Sequence, residues 1–383
     1  MLLYLSFAGF SLGIALQQSL LFLFALVQIG FAVFRGAKPA SLFGSGRRAA
    51  VGLALLLLLS AVVANNSYPS GDPTRIHWAL MVFWVIPFAL VDEIQWDSLH
   101  RMLLWVSVPG LVVSLAWLLQ PDEIAYSLKV GFSHFPRAKG LVSNQITNAE
   151  GLVVFACWSL ARLDSKLSPR ERKWIWTHLI LSIFIVAFSR VRSGIIGFAV
   201  LFFLHGMLTP HFRKRSLGAM FATLSLFAAV TSVFGFNIAS LNERIVYIQG
   251  SLELFAQNPI FGIGPNKYNI TLENGLRLVE HPHNTLLGIA TEGGVLGLCG
   301  YLVFMAVLFF QLKALCQAHQ ASGGPLAWVT RALLYVFLIY HTFGLFDFNF
   351  ADTELLILHS LHWALIAGLA AKLRIPHPPV QNS

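Results

Sequence analysis

The sequence predicts an all-α, polytopic membrane protein with about twelve transmembrane helices and one larger extramembranous loop. Only 11% of the 383 residues are charged and 56% are hydrophobic, whereas soluble domains carry about a quarter charged residues. Apolar runs close to the roughly 20 residues that one helical crossing needs recur along most of the chain. The third observation is the placement of the basic residues, which are concentrated in alternate short loops.

Twelve apolar segments are predicted to cross the membrane. They lie near residues 2–17, 18–35, 49–65, 77–92, 99–119, 145–162, 174–189, 193–209, 216–235, 285–311, 327–346 and 354–371. The first run has no basic residues before it and leads straight into more apolar sequence, so no cleavable signal peptide is expected. This layout gives three parts: spans one to nine within 1–235, a loop subdomain at 236–284, and the last three spans with a short tail at 285–383.

The basic residues orient the chain. With both termini inside, most of them fall in cytoplasmic loops, as the positive-inside rule requires. This set comprises Arg35, Lys38, Arg47, Arg48, Arg101, Arg162, Lys166, Arg170, Arg172, Lys173, Arg213, Lys214, Arg215, Lys313, Arg331, Lys372 and Arg374. The net charge of +9 therefore reflects topology and does not indicate nucleic-acid binding. The basic residues on the opposite face are not needed for insertion and require another explanation.

The loop at 236–284 is the only outer segment large enough for a small subdomain. Its 252–255 stretch suits a short amphipathic helix, which Asn258-Pro259 should end because the residue before a proline avoids the α region. Gly262 and Gly264 predict a turn tight enough to bring backbone close to a ligand. A second outer loop is expected at 120–144.

Three outer arginines are candidates for an anion site. Arg190 and Arg192 lie where one predicted span ends and the next begins, and Arg244 lies near the start of the large loop. A guanidinium group grips phosphate oxygens in a bidentate fashion, so a cluster of these residues suits a diphosphate. The alternatives are snorkelling of Arg190 and Arg192 to lipid headgroups and an ordinary ion pair between Arg244 and Glu243.

The segment His281-Pro282-His283-Asn284 places two imidazoles before a hydrophobic helix. A histidine titrates near neutral pH and can accept a proton from a hydroxyl, which makes general-base catalysis the favoured interpretation. The alternatives are a pair of exposed loop histidines and a metal site, for which only Glu280 is close by. Asn284 is predicted to cap the helix that follows, and the helix start favours an anion nearby.

Other polar residues carry weaker signals. Arg137 and Lys139, in the second outer loop, are placed to reach a polar headgroup. Asp347, Asp352 and Glu354 are expected to be solvated side chains between the last two spans. His341, His359 and His362, on apolar helices, are expected to be packed, hydrogen-bonded or interfacial. None of these residues decides the function alone.

Several short sequence motifs together resemble the O-antigen ligase and polymerase superfamily of bacterial inner membranes. His283-Asn284 is followed by Gly294-x-x-Gly297 after nine residues, and Asn258-Pro259-x-Phe261-Gly262-x-Gly264 precedes the histidine in the expected order. Ser189-Arg190 or Arg192-Ser193-Gly194, and Lys139-Gly140 with Asn144-Gln145-Ile146, add to the set. The resemblance covers roughly residues 137–300. The family has one arginine where this chain has Arg190 and Arg192, and we lean towards Arg192.

The resemblance implies an inverting glycosyltransferase of the GT-C type that needs neither metal nor nucleotide cofactor. Its donor would be an undecaprenyl-diphosphate-linked glycan and its acceptor lipid A-core, at the periplasmic face of the inner membrane. By this resemblance His283 activates the acceptor hydroxyl, and Arg192 or Arg190, with Arg244, holds the donor diphosphate. His281, Asn284, Glu280, Arg137 and Lys139 would have supporting roles.

Three alternatives remain open. An O-antigen polymerase shares the donor chemistry but uses a second carrier-linked glycan as acceptor, and a protein O-oligosaccharyltransferase transfers to protein. A transporter or flippase for lipid-linked sugars belongs to another class. It predicts polar residues that continue through to the cytoplasmic side, whereas catalysis predicts convergence in one outer cavity.

Overall fold

The computed structural model describes residues 52–53, 55–56, 94–130, 145–234, 239–264, 268, 270–271, 278–279, 282–320, 326–347 and 352–373. From residue 94 onward, the described helices are α1 (Trp96–Leu118), α2 (Pro121–Val130), α3 (Gln145–Arg162), α4 (Pro169–Ser189), α5 (Arg192–Leu208), α6 (Arg213–Phe234), α7 (Ala239–Gln257), α8 (Thr285–Gln320), α9 (Leu326–Gly344) and α10 (Thr353–Leu373). A 3-10 turn, Pro210–Phe212, joins α5 to α6. Two short antiparallel strands, β1 (Ile270–Thr271) and β2 (Leu278–Val279), are the one departure from helix among the elements described.

Five candidate membrane spans lie within the described residues: Trp96–Leu118, Pro210–Val233, Thr285–His319, Leu326–Gly344 and Leu355–Leu373. They are long and apolar enough to cross a bilayer. The predicted spans at 145–162, 174–189 and 193–209 also fall on helices. The chain is thus a helical protein with several apolar spans, as the sequence predicts. The first four predicted spans lie largely outside the described residues, so the count of twelve stays a prediction.

Helix α3 is the central element of the bundle. It contacts α1, α4, α5, α9 and α10, and its residues from Thr147 to Ala161 are all buried. Such burial on every face is expected of a helix surrounded by others. Because α3 has neighbours on all sides, it determines where the ends of those neighbours lie.

The charged residues separate between the two ends of the bundle. At one end Arg162 pairs with Asp97 at 3.1 Å, and Arg331 pairs with Asp164. At the other end the start of α3 meets the start of α10, where the Thr147 hydroxyl donates to Asp352 at 2.5 Å. The described residues that are predicted to be cytoplasmic lie at the first end. The functional candidates that the structure describes lie at the second.

Both predicted outer loops contain more helix than expected. The loop at 120–144 includes α2, and the short helix predicted at 252–255 is the last part of the 19-residue α7. Helix α7 ends at Gln257, as Asn258-Pro259 predicts, and packs against α8. A small cluster of Tyr247, Ile263 and Tyr268 is buried there. Burial raises the pKa of Tyr268 to about 12, so its hydroxyl stays neutral and bonds to Ser251 at 2.7 Å.

Candidate functional site

The site is built where α9 ends beside the start of α8. The Nδ1 atom of His283 lies 3.1 Å from Oδ1 of Asp347. Their side chains are 26% and 15% exposed, so water and a substrate can reach a pair that is otherwise enclosed. A carboxylate bonded to one imidazole nitrogen fixes the tautomer and the orientation of the ring. Neutral His283 would then donate from Nδ1 and carry its lone pair on Nε2.

Two further hydrogen bonds fix the histidine segment to the end of α9. The Asn284 amide donates to the Leu345 carbonyl at 3.3 Å, and the Thr285 hydroxyl donates to the Asp347 carbonyl at 3.2 Å. Asn284 also caps α8, because its Oδ1 accepts from the Leu287 amide at 2.9 Å. Asn284 therefore caps the start of α8 and also bonds it to the end of α9.

His283 itself has an unusual backbone conformation. Its φ is 50°, in the left-handed region that few residues other than glycine adopt. His281 and His283 are two residues apart and would point the same way only on an extended segment, and the φ of His283 is not extended. The ring of Tyr247, from α7, lies 5.7 Å from the His283 ring. The side chain is therefore held between α7 and the end of α9.

Arg244 joins this group through α7. Its Nη1 donates to the Phe346 carbonyl at 2.6 Å, directly before Asp347 in the chain. Arg244 and Tyr247 are three residues apart on α7, so they lie on the same face of the helix. The structure thus brings Arg244 and His283 to one place from well-separated positions in the sequence. One guanidinium nitrogen is used for positioning, and the group has others with which to bind an anion.

Arg190 and Arg192 flank the connection between α4 and α5. Arg190 is the C-cap of α4 in the left-handed conformation, and Arg192 is the first residue of α5. A Cβ on Gly194 would lie 2.7 Å from Val186 Cγ1 of α4 and 3.2 Å from Ala149 Cβ of α3, so a glycine is needed for α5 to approach both helices. That approach places Ser193 beside Glu150. The arginines therefore lie at the same end of the bundle as His283.

Three carboxyl groups form a cluster under the site, and the sequence interpretation missed their importance. Glu150 interacts electrostatically with Asp347 and Asp352. Its side chain is fully buried and lies beside the Ser193 hydroxyl. The expectation that Asp347 is solvated is wrong, because its carboxylate bonds to His283. In the sequence, the available signal for Asp347 was its position as an acid at the outer end of an apolar span.

The two glycine motifs are in backbone contact with each other. Gly294 has a φ of 64° and interrupts α8, and Gly262 has a φ of 70°. A Cβ on Gly262 would lie 2.6 Å from the Gly294 amide nitrogen, and one on Gly294 equally close to that of Gly262. The Gly264 amide donates to the Glu292 carbonyl at 2.9 Å. The turn thus brings backbone against the broken helix α8, whereas the sequence suggested approach to a ligand.

Four predicted supporting residues, Arg137, Lys139, Glu280 and His281, lie outside the described residues. Within the part that is described, no group of three or more His, Cys, Asp or Glu side chains is arranged to hold a metal ion. His359 and His362 are buried as expected: Trp158 Nε1 donates to His362 at 2.9 Å, and the Tyr340 ring lies 4.1 Å from His359.

Most of the described candidate residues lie in a segment that is similar to a known family. Residues 178–302 match the family model described as "O-Antigen ligase". This segment belongs to the O-antigen ligase family. A search of curated proteins found no match. The resemblance predicted from the sequence is therefore confirmed over residues 178–302.

The O-antigen ligase domain contains both glycine motifs and the predicted residues Arg190, Arg192, Arg244 and His283. It ends within α8 at residue 302. Asp347 lies beyond this segment. The three-dimensional site therefore combines the family segment with a carboxylate that lies just after α9.

Proposed function

We propose that this protein is an O-antigen ligase of the bacterial inner membrane. It would transfer a glycan from undecaprenyl diphosphate to lipid A-core at the periplasmic face, without metal or ATP. The family match supports chemistry of the O-antigen ligase or polymerase type. The observation that carries the proposal is the bond between His283 and Asp347, because it prepares an imidazole to accept a proton.

The chemical step follows from this arrangement. His283 Nε2 removes the proton from an acceptor hydroxyl as its oxygen attacks the anomeric carbon of the donor. The oxygen attacks from the face opposite the leaving group, so the configuration inverts as the bond between that carbon and the diphosphate oxygen breaks and undecaprenyl diphosphate leaves. Asp347 stabilises the imidazolium that forms. The donor already carries its activation, which is why no nucleotide is required.

Arg244, with Arg192 or Arg190, would bind the diphosphate. Fixed cations are most effective where negative charge develops during the reaction, which here is on the leaving oxygen. Arg244 is anchored through the Phe346 carbonyl, so little reorganisation is needed when charge appears. The clustering of these residues at one end of the bundle supports catalysis over transport. The deeper polar residues His359 and His362 pack against aromatic rings.

The proposal is tested by transfer with the purified protein in EDTA and without ATP. Undecaprenyl-diphosphate-linked O-antigen and lipid A-core are supplied to the native chain, His283→Ala and His211→Ala. His211 is an exposed histidine on the turn before α6 and serves as the control. Product on lipid A-core from the native chain and the control, but not from His283→Ala, is expected.

Other products of the same assay would indicate a different function. Lengthened carrier-linked glycan with no change in lipid A-core would identify a polymerase. Glycan attached to an added acceptor protein would identify an O-oligosaccharyltransferase. Neither product, combined with movement of a labelled lipid-linked sugar across proteoliposome membranes, would favour a transporter and overturn the proposal.

A further inference from the structure

A cavity of about 380 Å³ lies between α1 and α4, at the end of the bundle away from His283. Its volume is within the roughly 300–1,000 Å³ of typical small-molecule pockets. Apolar side chains, including Leu104, Leu111 and Leu181, line most of it. Arg101 and Arg170 line it near the starts of their helices. The cavity is therefore amphipathic, with a cationic mouth and an apolar interior.

The length of the cavity fits one membrane leaflet. Its lining runs from His100 to Leu111 on α1 and from Arg170 to Leu181 on α4. At 1.5 Å per residue each wall is about 15 Å long, which is half of the roughly 30 Å hydrocarbon thickness of a bilayer. A ligand that fills it would have an extended apolar part and one charged end.

Two tryptophans line the same cavity. Trp105 and Trp174 are 68% and 51% exposed, and their rings lie 6.1 Å apart. Tryptophan is enriched at the depth of lipid headgroups, where its ring is amphipathic. Exposed tryptophans in this position on α1 and α4 are typical of an interfacial site that faces lipid.

Buried polar atoms indicate that the occupant is not wholly apolar. His100 and His178 line the cavity and are only 4% and 5% exposed. The Nε2 atom of each has no hydrogen-bond partner among the described residues, and leaving such an atom unsatisfied is costly. Glu171 also lines the cavity, but its carboxylate is bonded to Ser168. The two arginines therefore leave an excess positive charge at the mouth.

We propose that this cavity binds one anionic glycerophospholipid of the surrounding leaflet. Its phosphate contacts Arg101 and Arg170, its polar glycerol region lies near the two histidines, and one acyl chain occupies the space between α1 and α4. Charge complementarity selects an anionic headgroup, and the depth of the cavity selects a lipid over a free anion. The site is separate from the proposed catalytic cluster and does not depend on its function.

Native mass spectrometry of the purified full chain tests this proposal. Phosphatidylglycerol and phosphatidylcholine with identical acyl chains are titrated against the native protein, and we expect one phosphatidylglycerol to be retained preferentially. The double variant Arg101→Gln/Arg170→Gln should weaken its binding by about tenfold or more, because charge-assisted hydrogen bonds are lost. The matched control Arg172→Gln/Lys173→Gln removes two exposed charges of α4 that do not line the cavity.

A second variant tests the apolar space in which the acyl chain is proposed to lie. Thr177 is exposed and lines the cavity, so Thr177→Trp should fill the space and abolish retention with little cost to folding. Equal binding of phosphatidylglycerol by all variants, or no preference over phosphatidylcholine, would overturn the proposal. Displacement of the lipid by millimolar inorganic phosphate would also overturn it, because a phosphate site would not need the acyl chain.

Discussion

His283 and Asp347 are separated by 64 residues in the chain, and their side chains meet at 3.1 Å. The contact joins the start of α8 to the end of α9. The hydrogen bonds of Asn284 and Thr285 to the same segment make it a fixed relationship. This carboxylate–imidazole pair is the feature on which the proposed proton transfer depends.

We expect Asp347→Asn to lower the rate of glycan transfer by about 10²–10⁴-fold, because the amide no longer selects the productive tautomer or stabilises imidazolium. Donor binding should change little. The measurement is kcat and KM in the transfer assay. Asp122→Asn, an exposed change at the start of α2, is the matched control. A variant with native kcat would remove Asp347 from the mechanism.

Arg244→Ala should lower transfer by about 10²-fold or more through loss of charge stabilisation on the leaving diphosphate. Arg244→Lys should recover part of the rate, since it keeps the charge but not the planar fork. Arg172→Ala provides an exposed arginine control. If Arg244→Ala and Arg244→Lys have equal, native-like rates and the same KM for the donor, the diphosphate role is wrong.

The contact between Gly262 and Gly294 predicts that alanine substitutions at different glycines have very different effects on stability. Gly262→Ala and Gly294→Ala should each destabilise the protein by roughly 1–3 kcal/mol, because both combine positive φ with backbone within contact distance. A Cβ added to Gly218, in α6, would meet nothing within 4 Å, so Gly218→Ala should be neutral or stabilise by roughly 0.5–1 kcal/mol. Thermal unfolding in detergent compares the three. Similar Tm values for all would contradict the contact.

The start of α4 predicts a dependence of stability on pH. Hydrogen bonds from the Ser168 hydroxyl and amide lower the pKa of Glu171 below its usual value. A depressed carboxyl pKa contributes stability above the unfolded pKa, and this contribution is lost as the pH falls through the folded pKa. Ser168→Ala should therefore cost roughly 1 kcal/mol at neutral pH and less in acid.

Glu171→Gln is the matched variant for this effect. It keeps a hydrogen-bonding side chain at the same position but does not titrate, so the difference between native and variant stability should shrink at acidic pH. Unfolding midpoints measured across the acidic range provide the comparison. A difference that stays constant with pH would show that the Glu171 charge contributes nothing to the cap.

Much of the helical layout follows from sequence because apolar runs and turn residues are local signals. Asn258-Pro259 predicts the end of α7, and Asn284 predicts the start of α8. The sequence predicts too short an α7, because apolar residues such as Ile245 and Ile248 lie on its exposed face and obscure the amphipathic pattern. It does not predict the break at Gly294, because a lone glycine in an apolar helix is ordinarily tolerated.

The candidate site is only partly predictable from the sequence, because local signals do not show which distant residues meet. Arg244 and His283 are recognised by residue type and order, and the structure brings them together through Phe346 and Asp347. Asp347 and Glu150 give only a weak signal, because an acid near a helix end is usually solvated. Only the packing of α3 against α9 and α5 turns these acids into a cluster.

The sequence by itself determined the membrane character, the direction of the charge bias and the family segment, because each depends on composition or on residue order. Tertiary structure alone decided that Asp347 is the partner of His283 and that no side chain fits at Gly262 and Gly294. It also decided that α1 and α4 enclose an amphipathic cavity. These are contacts between distant segments, and their energy arises only when close packing excludes water from both partners.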